Sequence, residues 1–230
     1  MRTLRQASSI GALPTGEVPL IQIAFLLVAA IAASLVITIP SADAAPGTCG
    51  GQTVTGTGSA PSTSGDDAIN GTPGTDVING LGGNDTINGL GGDDVICGGG
   101  GGDYLTGGSG TDYLYGGKGV DYLQGGKGSD HLDGGGGNDV LDGGSRGDLL
   151  DGGLGADVLY GFNGSDTLYG NAGNDKIYGS NGGDYLYGNT GKDKLKGNAG
   201  DDSLDGGANT DACKGGAGFD TGSFCEPFSQ

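Results

Sequence analysis

The sequence predicts an all-β fold, a right-handed parallel β-solenoid of about nine 18-residue coils with stapled end caps. Three observations predict it. A nine-residue unit repeats without insertion or deletion from Ser62 to Ser223, an aspartate stands at the sixth place of all eighteen copies, and a large aliphatic residue follows two places later in sixteen of them.

Written as Gly-Gly-x-Gly-x-Asp-x-U-x, the unit splits into two halves. The Gly-Gly-x-Gly-x-Asp half is turn material, because glycine reaches the positive φ angles of tight turns without steric cost. The x-U-x half, as in Val77-Ile78-Asn79 or Tyr113-Leu114-Tyr115, predicts a three-residue strand with one side chain inward and two outward. Two units make one coil: turn, strand, turn, strand. Stacked coils then align each strand with the one eighteen residues later, giving two parallel sheets with the Ile and Leu residues between them. At about 4.8 Å per strand, nine coils make a rod about 43 Å long. Unphased glycine-rich sequence does not recover the entropy of ordering, but strict phase distinguishes this array from a linker.

The ends are different. Residues 1–44 carry Arg2 and Arg5, an apolar run from Leu20 to Ile39, and Ala42 and Ala44 at the spacing of a secretory cleavage site, which reads as a signal peptide cut near Ala44. The apolar run is also long enough for an uncleaved N-terminal membrane anchor, the alternative. Either way the array is expected outside the cytoplasm, secreted or anchored at the cell surface. Residues 45–61 are expected to cap the array, residues 62–223 to form it, and residues 224–230 to be a C-terminal tail. Four cysteines suit an oxidising compartment. Cys49 and Cys97 flank one end and Cys213 and Cys225 the other, so the expected bridges are Cys49–Cys97 and Cys213–Cys225; free buried thiols are the alternative.

Without residues 1–44 the chain loses two basic and two acidic residues, from 10 and 28 to 8 and 26, and keeps a net charge of −18. That acidity disfavours nucleic acid and anionic lipid as partners and favours cations. The acidity is ordered. Stacking puts Asp67, Asp85, Asp103, Asp121, Asp139, Asp157, Asp175, Asp193 and Asp211 in one column, and Asp76, Asp94, Asp112, Asp130, Asp148, Asp166, Asp184, Asp202 and Asp220 in another. Carboxylates about 5 Å apart repel by a few kcal/mol per pair at an effective dielectric near 20, so such a column needs counter-ions.

Ca²⁺ takes six to eight oxygens in flexible geometry and accepts backbone carbonyls beside carboxylates. Turn carbonyls such as those of Gly80, Gly98, Gly107, Gly116, Gly125 and Gly134 are therefore candidate ligands with the aspartates. Mg²⁺ demands a tighter octahedron and Zn²⁺ wants Cys or His, of which the only His is His131. Two columns of nine leave eight gaps each, a ceiling of about sixteen ions. Arg146 and Asn209 replace the fourth glycine of their turns; Thr72, Phe162, Asn171, Ser180, Asn189 and Asn198 replace the second. Asparagine tolerates the left-handed region, so Phe162 and Arg146 are where a site is most in doubt. A metal-free solenoid with Asp as turn former is the competing reading, but Asn, Ser and Thr serve turns equally well and never take this position.

The repeat resembles the repeats-in-toxin, or hemolysin-type, calcium-binding repeat, over about 160 residues. The resemblance implies a parallel β-roll with Ca²⁺ between successive turns. The expected function is extracellular calcium binding with Ca²⁺-dependent folding into a rigid structural or adhesive surface module. A soluble calcium buffer or sensor is the alternative, as is a glycan-binding module using the outward tyrosines. The partners are calcium ions, then surface polysaccharide or another protein, with membrane only if the N-terminal segment is retained. No enzyme is expected, since about seventeen residues separate the cleavage site from the array and His131 has no second His. All nine tyrosines take outward places, Tyr104, Tyr122, Tyr160 and Tyr178 on one face and Tyr113, Tyr115, Tyr169, Tyr185 and Tyr187 on the other, where cross-strand stiffening is expected before sugar binding.

Overall fold

A computed structural model describes residues 63–226 throughout and, as strands only, residues 48–49, 52–53 and 228–229. The expected signal segment lies outside the described residues. Among the described residues every regular element is a strand, and no helix is long and apolar enough to cross a membrane.

The strands form a nine-stranded sheet running from Val77–Asn79 to Thr221–Ser223, and a ten-stranded sheet running from Ala68–Asn70 to Phe228–Ser229. Successive strands of the chain alternate between the sheets. Within each, every strand pairs in parallel with the next, and throughout the array the paired residues lie 18 apart, as in Leu123↔Leu141↔Leu159. The fold is thus a parallel β-solenoid of eighteen-residue coils. The sixteen aliphatic residues of the eighth position, with Cys213, form one continuous core cluster, each at most 3 % exposed. Burying one such side chain is worth about 1.5–3 kcal/mol. One inward residue per strand therefore suffices only because every coil repeats it.

Most strands are longer than the three residues the repeat predicts. Tyr104–Ser109 and eleven others run for six residues, through the first three places of the following turn. The first-position glycine continues the strand as a second inward residue. In Tyr122–Lys127, for example, Leu123 and Gly125 are both buried. A bare Cα reads as a turn in sequence, but here it lets the backbone pass close to the aspartate.

Positive φ recurs at the second and fourth positions. At Gly119, φ is +137° and a Cβ would lie 1.6 Å from the carbonyl oxygen of Gly101, so close coil stacking excludes a side chain there. Non-glycine residues nonetheless hold the same turn: Arg146 at +86°, Phe162 at +70° and Asn209 at +90°. Leu81 and Leu90, both at +77°, also take the second position, beyond the departures expected from the sequence.

The ends are built differently. Cys213 and Cys225 form the expected disulfide, Cα–Cα 5.5 Å and 12 residues apart. Cys97 is disulfide-bonded; the side chain of Cys49, its expected partner, lies outside the described residues. Thr48–Cys49 pairs antiparallel with Gln52–Thr53 and contacts the first strands of the nine-stranded sheet. There the outward Val77, Val95 and Cys97 are buried.

Candidate metal centre

The repeat places one aspartate where each turn enters its strand, and stacking joins them. The Oδ1 of Asp85 accepts a hydrogen bond of 2.8 Å from the backbone N–H of Asp67, eighteen residues earlier. The same bond recurs along both columns, for example from Asp112 to Asp130 at 2.9 Å, from Asp121 to Asp139 at 2.8 Å, and from Asp202 to Asp220 at 3.1 Å. The two expected columns therefore exist as hydrogen-bonded ladders. Seventeen of the eighteen aspartates are buried, Asp67 being only partly so.

The second carboxylate oxygen divides them. In the fifteen aspartates from Asp85 to Asp211 the Oδ2 is buried and accepts no hydrogen bond. In Asp67 and Asp76, the first of each column, it is satisfied. Thr63 donates its N–H and its hydroxyl to Asp67 at 2.6 and 3.0 Å, and Thr72 donates the same pair to Asp76 at 2.6 and 2.9 Å.

The orphan oxygens face the first-position glycines. A Cβ on Gly116 would lie 2.6 Å from Asp121 Oδ2 and 2.6 Å from the carbonyl oxygen of Gly134, one coil on. A Cβ on Gly125 would lie 2.6 Å from Asp130 Oδ2 and 2.7 Å from the Gly143 carbonyl, and one on Gly80 2.2 Å from Asp85 Oδ2 and 2.6 Å from the Gly98 carbonyl. Carboxylate and carbonyl oxygens of neighbouring coils thus flank one small space that only glycine leaves open. The carbonyls of Gly98, Gly107 and Gly134, expected as ligands, lie in this arrangement, while Gly80, Gly89 and Gly116 supply the bare Cα beside them. Phe162 and Arg146 do not disturb it. Asp166 and Asp148, in their turns, keep both the Oδ1 ladder bond and the orphan Oδ2.

Burial raises the carboxyl pKa of the column aspartates from Asp85 to Asp202, the ladder N–H opposes it, and in most of them neighbouring carboxylates add to it. Asp94, Asp139 and Asp148 are pushed up to about 7, and Asp103, Asp130, Asp166 and Asp184 to about 6. The array thus disfavours its own ionised state and would be relieved by a cation. Among the described residues no three Asp, Glu, His or Cys side chains converge on a point, so any ion here draws most of its ligands from the backbone. An all-oxygen donor set of that kind suits Ca²⁺ and not the thiophilic metals.

A further set of acceptors was not legible in the repeat formula. At the fifth position, Asp66, Asn84, Asp93, Asn138, Asn174 and Asp201 each accept from the backbone N–H eighteen residues later, at 2.7–2.9 Å. The sixth position reaches back one coil and the fifth reaches forward, so the side chains clasp the stack from both directions. The signal was the excess of Asn and Asp at a place the formula leaves free.

No curated protein sequence matches the chain. The RTX calcium-binding nonapeptide repeat matches it in eight overlapping segments, from residues 62–96 to residues 187–221. Together these cover residues 62–221, well over half of the 230-residue chain. With the coils, the aspartate ladders and their orphan oxygens in place, the chain belongs to the RTX calcium-binding repeat family and binds Ca²⁺ through a β-roll.

Proposed function

We propose that the chain is an exported structural module whose rod assembles when calcium arrives, and that coordination, not catalysis, is its biochemical act. The fifteen buried Oδ2 atoms of Asp85 to Asp211, without a hydrogen-bond partner, carry this reading. An unsatisfied buried acceptor costs about 1–3 kcal/mol, more when charged, and a domain's whole net stability is about 5–15 kcal/mol. A penalty of that size repeated in every coil leaves the metal-free rod unstable. Bound calcium supplies the positive charge and the open coordination shell that those oxygens lack. The aspartates then act as ligands from both columns, the bare first-position glycines admit the ion, and the backbone carbonyls complete the shell. Binding free energy thereby becomes folding free energy. The ceiling of about sixteen ions, one for each gap between coils, is close to the number of orphan oxygens.

The rod presents two flat outer faces and suits a load-bearing or adhesive part of an extracellular surface. Calorimetric titration of the chain with Ca²⁺, followed in parallel by circular dichroism, tests the proposal. Several ions taken up cooperatively with a rise in β signal are expected. A β-rich spectrum unchanged by chelator would overturn it.

A further inference from the structure

The two outer faces carry matched pairs of stacked tyrosines in opposite electrostatic settings. On the nine-stranded sheet Tyr169 and Tyr187 stack at 4.8 Å, in a row that runs Asp133, Asp151, Tyr169, Tyr187, Asp205. On the ten-stranded sheet Tyr160 and Tyr178 stack at 5.0 Å, in a row that runs Asp142, Tyr160, Tyr178, Lys196, Lys214. Beside it Lys176 and Lys194 are directly paired. The four lysines are exposed, and none is held in an ion pair among the described residues. In a chain of ten basic residues, four lie on this one patch.

The tyrosine pair borders a shallow depression of about 410 Å³ lined by Tyr160, Phe162, Tyr178, Ser180, Asn181 and Asn198. Phe162 lies 5.6 Å from Tyr160 and remains 39 % exposed. It holds φ of +70°, a conformation that costs a bulky residue and costs glycine nothing.

We infer that this depression binds a carboxylated sugar, a uronic acid unit of a polysaccharide. The aromatic rings offer a flat apolar surface to the C–H face of a pyranose, and Ser180, Asn181 and Asn198 offer hydroxyl and amide groups to its hydroxyls. Lys194 and Lys196 lie beyond Tyr178, away from Asp142, and set the end at which the carboxylate lies. The inference rests on the calcium-loaded rod: nine divalent ions offset the net −18, so an anionic polymer meets the lysines without long-range repulsion.

The test is calorimetry of the calcium-saturated chain at fixed free Ca²⁺ with hexagalacturonate and cellohexaose, with circular dichroism confirming the rod for each variant. Hexagalacturonate is expected to bind and cellohexaose not. Lys194→Gln with Lys196→Gln should weaken binding about tenfold or more, the size of a lost charge-assisted contact. Phe162→Gly restores the residue the turn prefers, so it should weaken binding severalfold without lowering the melting temperature, an outcome a purely structural role does not produce. Tyr178→Ala should weaken binding and Tyr169→Ala, on the acidic face, should not. Equal binding of both hexasaccharides, or hexagalacturonate binding untouched by the lysine exchange and therefore held by calcium alone, would overturn the inference. No binding by a chain with full β signal would sink the sugar site and leave the calcium rod standing; absence of β signal in calcium would sink both.

Discussion

The first turn of each aspartate column and the turns that follow carry the same carboxylate on the same ladder, yet only the first is satisfied within the protein. Thr63 and Thr72 stand at the second position and keep out of the left-handed region that this position occupies in most later turns. In that conformation both the amide and the hydroxyl reach the aspartate oxygen. From Asp85 to Asp211 the second position turns to positive φ, and Oδ2 is left without a donor. The aspartate is thus compatible with a metal-free turn, and what creates a demand for a cation is the positive φ of the second position before it. The first turns close the columns, and the later ones are open to an ion.

The largest expected effect comes from removing that demand. Replacing Asp121, Asp139 and Asp157 with Asn keeps an Oδ1 acceptor and removes three buried charges. Calorimetry should show fewer ions bound, and the chelated chain should keep more β signal than wild type. The same exchange at Asp67 and Asp76 should leave the ion count nearly unchanged.

Acid should act in the same direction. The raised carboxyl pKa values, about 6 to 7 against an unfolded value of 3.8, mean that the folded metal-free state binds protons more tightly than the unfolded chain. Stability of the metal-free rod is therefore greatest below about pH 4 and is lost as pH rises through about 7. In chelator, circular dichroism should show β structure growing as pH falls from 8 to 4. Calcium affinity should fall over the same window, since the ligands must be ionised.

Smaller effects separate a crowded glycine position from an open one. Gly125→Ala puts a Cβ against Asp130 Oδ2 and the Gly143 carbonyl and should cost about 1–3 kcal/mol in thermal melts with calcium, the usual price of overpacking. Gly74→Ala, whose Cβ would meet only Thr72 Oγ1 at 3.9 Å, should be close to neutral. Smallest of all, Thr72→Val removes one hydroxyl from Asp76 and should cost about 1 kcal/mol, with or without calcium.

The period of nine made much of this readable. Asp at every sixth place and Ile or Leu at every eighth define the two columns and the core, because residues in equal phase must meet once coils stack. The unread parts depend on atoms the formula does not name. Gly107 and its equivalents extend the strands, which no side chain signals. Thr63 and Thr72 look like lapses from glycine and are instead the caps of the columns. Asn84 and Asn138 occupy a free place, and their forward bonds follow from the direction the turn gives them. The lysine and tyrosine patch arises only when residues 142, 160, 178, 196 and 214 are brought side by side, which depends on the register of five strands and not on any motif.

Contacts eighteen residues apart also set how quickly the molecule can form. That spacing is about 0.08 of a 230-residue chain, within the range of helical bundles and well below that of ordinary all-β domains, and folding rates rise as this ratio falls. Each coil needs only its predecessor as a template, so a chain entering a calcium-rich medium can wind up behind its leading end without waiting for distant segments to meet. Stopped-flow mixing of the metal-free chain with Ca²⁺ should show the β signal complete within milliseconds, and lengthening the array by further identical units should leave the rate of adding each coil unchanged.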